Sequence, residues 1–187
     1  RYYDQIDSVS TDVTQGVYLG ARYLLDQGYR KICYINCPQI YRSNAERVAG
    51  VQKAMREFHL EMKPDWLVYC KHNTGEGGYE AIKRLWQSGA RPQAIAAANE
   101  PIALGIMRFL YEQDIRIPED IAIVSYEDSV LGGYAVPALT SVNIQKEYMG
   151  ELAARIMLKR IRKGQEGELE HIIVEPNLVV RSSVGKC

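Results

Sequence analysis

Short β-prone runs alternate with longer stretches at helical period, and a chain with that rhythm has few options. It reads as α/β, a parallel sheet whose strands are joined by covering helices. The runs are KICYIN (31–36), WLVYC (66–70), AIAAAN (94–99) and IAIVSY (121–126). Between them Val17, Ala21, Leu24 and Leu25 recur on one helical face, with Gly28 where a C-terminal cap is wanted. Val48, Val51, Met55 and Phe58 form a second such face, behind Ser43 and Glu46 at capping-box spacing. Tyr79, Ile82, Leu85 and Trp86 predict a helix over 75–88, and Pro101 opens another over 101–113, where its missing N–H would be unpaired anyway. After residue 126 the rhythm changes. ALTSVNI reads as one more strand, KEYMGELAARIMLKRI as a long amphipathic helix, and HIIVEPNLVVRSS as two strand pieces split by Pro176.

Composition removes several functions. Lysine plus arginine and aspartate plus glutamate each number 23, and neither sign is concentrated in one half, so this segment lacks the basic footprint of a nucleic-acid surface. Four cysteines, Cys33, Cys37, Cys70 and Cys187, show no CxxC and no histidine at ligand spacing. That argues against a zinc site or a disulfide framework and for reduced thiols in a cytoplasmic protein. No apolar run reaches the roughly 18 residues of a membrane span, and RYYDQIDSV has neither the charged nor the hydrophobic region of a signal peptide. No metal or cofactor is expected.

In open parallel sheets ligands bind beyond the carboxyl ends of the strands, so the polar residues that directly follow each apolar run are the candidates. Ser43 and Arg47 follow the first run, Asn99 the third, and Tyr126, Glu127 and Asp128 the fourth. A guanidinium that donates, a carboxylate that accepts and an amide that does both suit vicinal hydroxyls. Each has a structural reading as well. Ser43 and Asn99 fit helix N-caps, Glu127 and Asp128 fit a solvated turn, and Arg47 fits a surface ion pair.

Catalytic readings have less to stand on. His59, His72 and His171 sit in unrelated contexts, and neither GxSxG nor HExxH occurs. TGEGGYEA matches no phosphate-binding fingerprint and reads as a loop entering a helix. A constellation able to bind, without a nucleophile or a tuned acid–base pair, points to recognition and not to an enzyme.

TDVTQGVYLGARYLLDQGYRKICYI, SNAERVAGVQKAM, PQAIAAANEPIALGIMRFL, IRIPEDIAIVSYEDSV and VPALTSVNI, in this order and spacing, resemble the effector-binding core of the LacI/GalR transcription regulators over residues 10–183. The resemblance implies a periplasmic-binding-protein-like type I fold, in which two lobes close on a small molecule, usually a sugar. It implies hinge crossings near Thr11 to Val13, Asn143 and Asn177. One lobe would comprise 13–142 and 177–187, and 1–12 with 143–176 would belong to the other, most of which, with a helix-turn-helix, would precede Arg1. Operator DNA would then be a partner only through that missing domain. The same motif matching implies effector contacts at Arg47, Asn99 and Glu127, with Ser43, Tyr126 and Asn73 beside them, and Asp128 securing the loop.

Three positions depart from the family pattern. SYED replaces the usual GYDD, Asn99-Glu100 replaces ND, and His72-Asn73 stands where many members place a stacking aromatic. Either another ring such as Tyr41 stacks on the sugar, or the ligand is not a simple hexose.

On helix 101–113, Ala103, Ile106 and Leu110 share the face expected on the sheet, while Leu104, Met107 and Tyr111 fall to the side. Either helix 75–88 covers that second stripe or a second copy does. The resemblance implies a homodimer through this helix and the loop at Tyr134 and Ala135. The expected function is therefore a ligand-sensing domain, the alternatives being a transport sugar-binding protein or an α/β enzyme acting on a sugar or nucleotide.

Overall fold

The computed structural model describes residues 5–37, 43–163 and 168–187. Its main sheet has six strands in the order β3-β2-β4-β5-β6-β8: β2 (Ile32–Asn36), β3 (Leu67–Tyr69), β4 (Ala94–Ala97), β5 (Ala122–Glu127), β6 (Thr140–Asn143) and β8 (Asn177–Val179). All neighbours run parallel except β6 and β8, which pair antiparallel with Val142 opposite Leu178. Every residue of β2 and β4 is buried, as expected of strands covered on both faces.

The helices are α1 (Val13–Asp26), α2 (Ser43–Glu57), α3 (Gly75–Gln87), α4 (Glu100–Glu112), the short α5 (Val130–Tyr134) and α6 (Lys146–Lys163). Right-handed crossovers put α2, which leads outward from β2 to β3, on one face, and α3 and α4, which lead the other way, on the opposite face. Accordingly α1 packs on α2 and α3 packs on α4. The expected C-cap at Gly28 is present: its φ is +102°, and the N–H groups of Gly28 and Tyr29 reach back to the carbonyls of Leu25 and Leu24.

The helix expected over 75–88 is present as α3, and of TGEGGYEA only Thr74 lies before it. Thr74 caps α3, accepting from the Gly77 N–H at 3.1 Å, and Gly77 and Gly78 lie inside the helix. A Cβ on Gly78 would come within 2.2 Å of the Ile102 carbonyl oxygen, and one on Gly105 within 1.8 Å of that of Gly75. Gly78 and Gly105 let α3 and α4 cross backbone to backbone, and Gly77 leaves room for the His72 carbonyl oxygen, 2.0 Å from where its Cβ would be, which offsets their cost to helix stability.

A second sheet pairs β1 (Ser8–Thr11) with β7 (His171–Val174) in parallel, and α6 packs against β1. The chain passes between the two sheets at Asp12, at Ile144–Gln145 and at Glu175–Pro176. Asp7 anchors this smaller unit by accepting both Nε and Nη2 of Arg160 at 2.7 Å and the Glu170 N–H at 2.8 Å. Those hydrogen bonds, the Arg160 pair first among them, hold the Asp7 carboxyl well below the usual carboxylate range. Among the described residues no helix is long and apolar enough to cross a membrane, and no cluster of metal-ligating side chains occurs.

Candidate functional site

The order of strands reverses between β2 and β4, since β2 leads outward to β3 while β4 lies on its other side, and such a switch leaves a crevice at the carboxyl edge. Arg47, Asn99 and Glu127 meet near this edge. Arg47 reaches over from α2, donates Nη1 to the Ala98 carbonyl at 2.6 Å and lays its guanidinium 4.8 Å from the centroid of the Tyr126 ring. Its Nε is buried and makes no hydrogen bond. Tyr126, expected among the ligand contacts, is only 3% exposed. It serves as the platform beneath Arg47, and burial pushes its phenol up to about 12.

β5 runs one residue further than its apolar run, and the backbone then turns through two left-handed residues, Glu127 (φ +99°) and Asp128 (φ +49°). A non-glycine residue held at such a φ is costly and must be fixed by its surroundings. The fixing groups are visible. Asp128 accepts from Arg181 Nη1 at 2.7 Å, and its N–H donates to Ser141 Oγ at 3.1 Å. Arg181 is tied in turn to the Leu139 carbonyl at 2.7 Å. Glu127, left half-buried, has its carboxyl raised by desolvation, partly offset by the charges of Arg47 and Lys146. Asp128 secures the loop, and the Glu127 side chain stands half-buried beside it.

Asn99 fills its structural role in full: Oδ1 caps α4 by accepting from Ile102 N–H at 3.0 Å. Its Nδ2 donates to Asn73 Oδ1 at 2.5 Å and approaches Cys37 Sγ at 3.8 Å, while the Cys37 thiol donates to the same Asn73 oxygen at 3.3 Å. What this edge still offers is the amide of Asn73, an exposed residue. Ser43 is the first residue of α2 and half-buried. Tyr41 lies outside the described residues.

Lys146, at the start of α6, was not anticipated beside Glu127, nor Cys37 beside the two asparagines. Lys146 is 19 positions from Glu127 and gives no local signal; Cys37 directly follows an apolar run, and that strand-end position is the signal that marks it.

On α4, Ala103, Ile106 and Leu110 are fully buried, as their spacing requires. Tyr111 is 83% and Tyr134 82% exposed, and Leu104 and Ala135 are partly buried. Met107, expected on the same wet stripe, is 7% exposed and belongs to the core. It floors a concavity of about 390 Å³ rimmed by Tyr111, Ile115, Ile117 and Val136.

A sequence profile of the periplasmic binding protein-like domain matches residues 21–184. The HTH-type transcriptional repressor PurR of Klebsiella pneumoniae subsp. pneumoniae is 34% identical over 181 residues, 97% of this chain and 52% of that protein, and its counterpart in Escherichia coli O1:K1 is 32% identical over the same span. The chain thus spans about half the length of these curated relatives. Among solved structures, the transcriptional regulator CelR–cellobiose complex superposes with a TM-score of 0.87 at 31% identity, covering 96% of this chain and 54% of that one. A LacI-type transcription regulator from Bifidobacterium animalis subsp. lactis gives 0.91 at 26%, covering 99% and 69%. A LacI family regulator from Enterococcus faecium with bound ribose gives 0.86 at 27%, covering 97% and 66%. With its six-stranded sheet and this span of similarity, the chain belongs to the periplasmic binding protein-like domain family, in the form carried by LacI-type transcription regulators.

Proposed function

We propose that this chain is the ligand-sensing part of a cytoplasmic LacI-type regulator, that it binds a small polyhydroxylated molecule, a carbohydrate before other classes, and that it catalyses nothing. The observation that carries this reading is the Arg47–Glu127 pair: a guanidinium held over the Tyr126 ring beside a carboxylate fixed by a left-handed turn. Ser43 and Asn73 complete the rim, with Asn99 orienting Asn73. The cellobiose- and ribose-bound relatives support the sugar class. In this reading residues 13–142 and 177–187 form one lobe, and 1–12 with 143–176 form part of the other. Ligand held between the lobes favours one arrangement, and by linkage alters the DNA affinity of a helix-turn-helix outside this chain. The exposed Asn73 amide favours a second reading, since an amide also matches the edge of a purine base.

Calorimetry of the full-length protein against pentoses, hexoses, disaccharides and purine bases tests the reading. A sugar that binds wild type and loses about tenfold or more with Glu127→Ala supports it; a purine that binds while sugars do not selects the second reading, and equal affinity in wild type and variant removes Glu127 from the site. The raised Glu127 carboxyl also sets a pH dependence. As pH falls the carboxyl takes up its proton earlier than an ordinary glutamate, whose value is about 4.3, and the charged acceptor is lost. Affinity should therefore weaken on the acid side from a pH above that value, and Glu127→Gln should flatten the profile.

We also propose a homodimer through the side of α4 and the loop around Tyr134 and Ala135. Leu104→Glu and Tyr111→Glu should convert it to monomer in sedimentation at micromolar concentration, because each would bury an unpaired charge. Met107→Glu is the wrong probe, being a core substitution. A wild-type monomer, or a dimer untouched by both variants, removes this interface.

A further inference from the structure

Cys37 and Cys70 terminate adjacent strands. β2 and β3 pair with Tyr34 opposite Leu67, Ile35 opposite Val68 and Asn36 opposite Tyr69, so the next pair in register is Cys37 with Cys70. The ladder reaches that far, since the Cys70 N–H donates to the Asn36 carbonyl at 3.0 Å. Both residues are buried, at 4% and 3% exposure, and both carry free thiols. Partners opposite each other in a sheet lie about 4.8 Å apart and send their side chains to the same face, and a disulfide needs Cα atoms roughly 4.4–6.8 Å apart. We propose that Cys37 and Cys70 are a cross-strand dithiol that hydrogen peroxide converts to a disulfide, pinning the 71–74 loop to the end of β2.

Cys37 attacks first. Its sulfur lies at the strand-end edge beside Asn73; burial raises both thiols, that of Cys70 to about 12, and at Cys37 the charge of Arg47 offsets part of the rise. The Cys37 thiolate attacks one peroxide oxygen and the O–O bond breaks, leaving a sulfenic acid and a hydroxide that takes up the released proton as water. The Cys70 sulfur then attacks the sulfenic sulfur; the S–S bond forms, the S–O bond breaks, and the Cys70 proton leaves with that oxygen as a second water. Two thiols and one peroxide give one disulfide and two waters. Burial of both thiols makes the first step slow, so the pair answers sustained oxidant and not brief exposure. Forming the bond also removes the Cys37 S–H, whose acceptor is Asn73 Oδ1, on the loop that becomes tethered.

The test needs no ligand and is independent of the reading above. Full-length protein is treated with hydrogen peroxide, alkylated under denaturing conditions and digested without reductant. The expected product is a Cys37–Cys70 linked peptide that dithiothreitol cleaves and that Cys37→Ser and Cys70→Ser each abolish. Amide hydrogen exchange over 71–76 should slow several-fold on oxidation in wild type and stay constant in both variants. Full alkylation of both thiols after peroxide, pairing of either with Cys33 or Cys187, accumulation of Cys37 as sulfinic acid, or exchange unchanged by the linkage each overturns the proposal.

Discussion

Valine at position 105 should lower the melting temperature by roughly 6–12 °C, the equivalent of about 3 kcal/mol in a chain of this size. A β-carbon there would sit 1.8 Å from the Gly75 carbonyl oxygen, 2.7 Å from its carbon and 2.9 Å from the Tyr79 nitrogen. None of these is the far end of a flexible side chain. The obstruction is the backbone of α3, so the helices must separate, and the Phe109 ring that packs edge-on against Tyr79 and Trp86 loses contacts with them. Gly133, in α5, has nothing within 4 Å of its virtual β-carbon, so Gly133→Ala is the control. It should leave the transition within about a degree or raise it slightly, helix propensity favouring alanine by up to about 1 kcal/mol. Thermal unfolding followed by circular dichroism distinguishes the two. Equal transitions for Gly105→Val and wild type would mean that α3 and α4 do not approach this closely.

Arg47→Ala should weaken ligand binding by roughly tenfold to a hundredfold, the range for a lost hydrogen bond to a charged group. Arg47→Lys should recover little of it. An ammonium is a point donor without a plane, so it can neither lie on Tyr126 nor direct one edge at the Ala98 carbonyl and another at a ligand. Calorimetry with whichever ligand the panel identifies provides the measurement. Full affinity in Arg47→Lys would show that only the charge matters and that the stacked geometry is incidental.

Much of the main sheet was legible because its strands are covered on both faces. KICYIN, AIAAAN and IAIVSY are apolar runs that no amphipathic helix would need, and each ends where polar residues begin. β1 was not legible. SVST has no apolar run, and it becomes a strand only through His171–Val174, more than 150 residues away. α5 was hidden for a different reason: five residues, VLGGY, contain two glycines and no full amphipathic repeat. α3 was legible from Tyr79, Ile82, Leu85 and Trp86, but how far the helix reaches back through its glycines was not, because what they pack against lies on α4 and at His72.

At the site, residue type and strand-end position singled out Arg47, Asn99 and Glu127. Direction was beyond reach. Whether Tyr126 faces ligand or supports Arg47 depends on what lies above it, and whether Met107 is wet depends on the segments around Ile115 and Val136 that close over it. The Asp128–Arg181 pair joins residues 53 positions apart, which no local pattern records.

The pairing of β1 with β7 also dictates an order of assembly. On a ribosome, residues 8–11 emerge long before His171–Val174, the strand they pair with. Strands β2 to β6 need only segments made between Ile32 and Asn143. The large sheet can therefore condense during synthesis, and β8, once made, adds to its edge while Ser183 stitches in by donating to the Ile123 carbonyl at 2.6 Å and accepting from the Thr140 N–H at 2.8 Å. The β1–β7 pair closes across the largest separation of any strand pair described, and such pairings are slow because the loop entropy is lost before any contact compensates. Until residue 174 arrives the β1–β7 pairing is unmade while β2 to β6 are already available, so the nascent chain is most prone to mispairing in that interval.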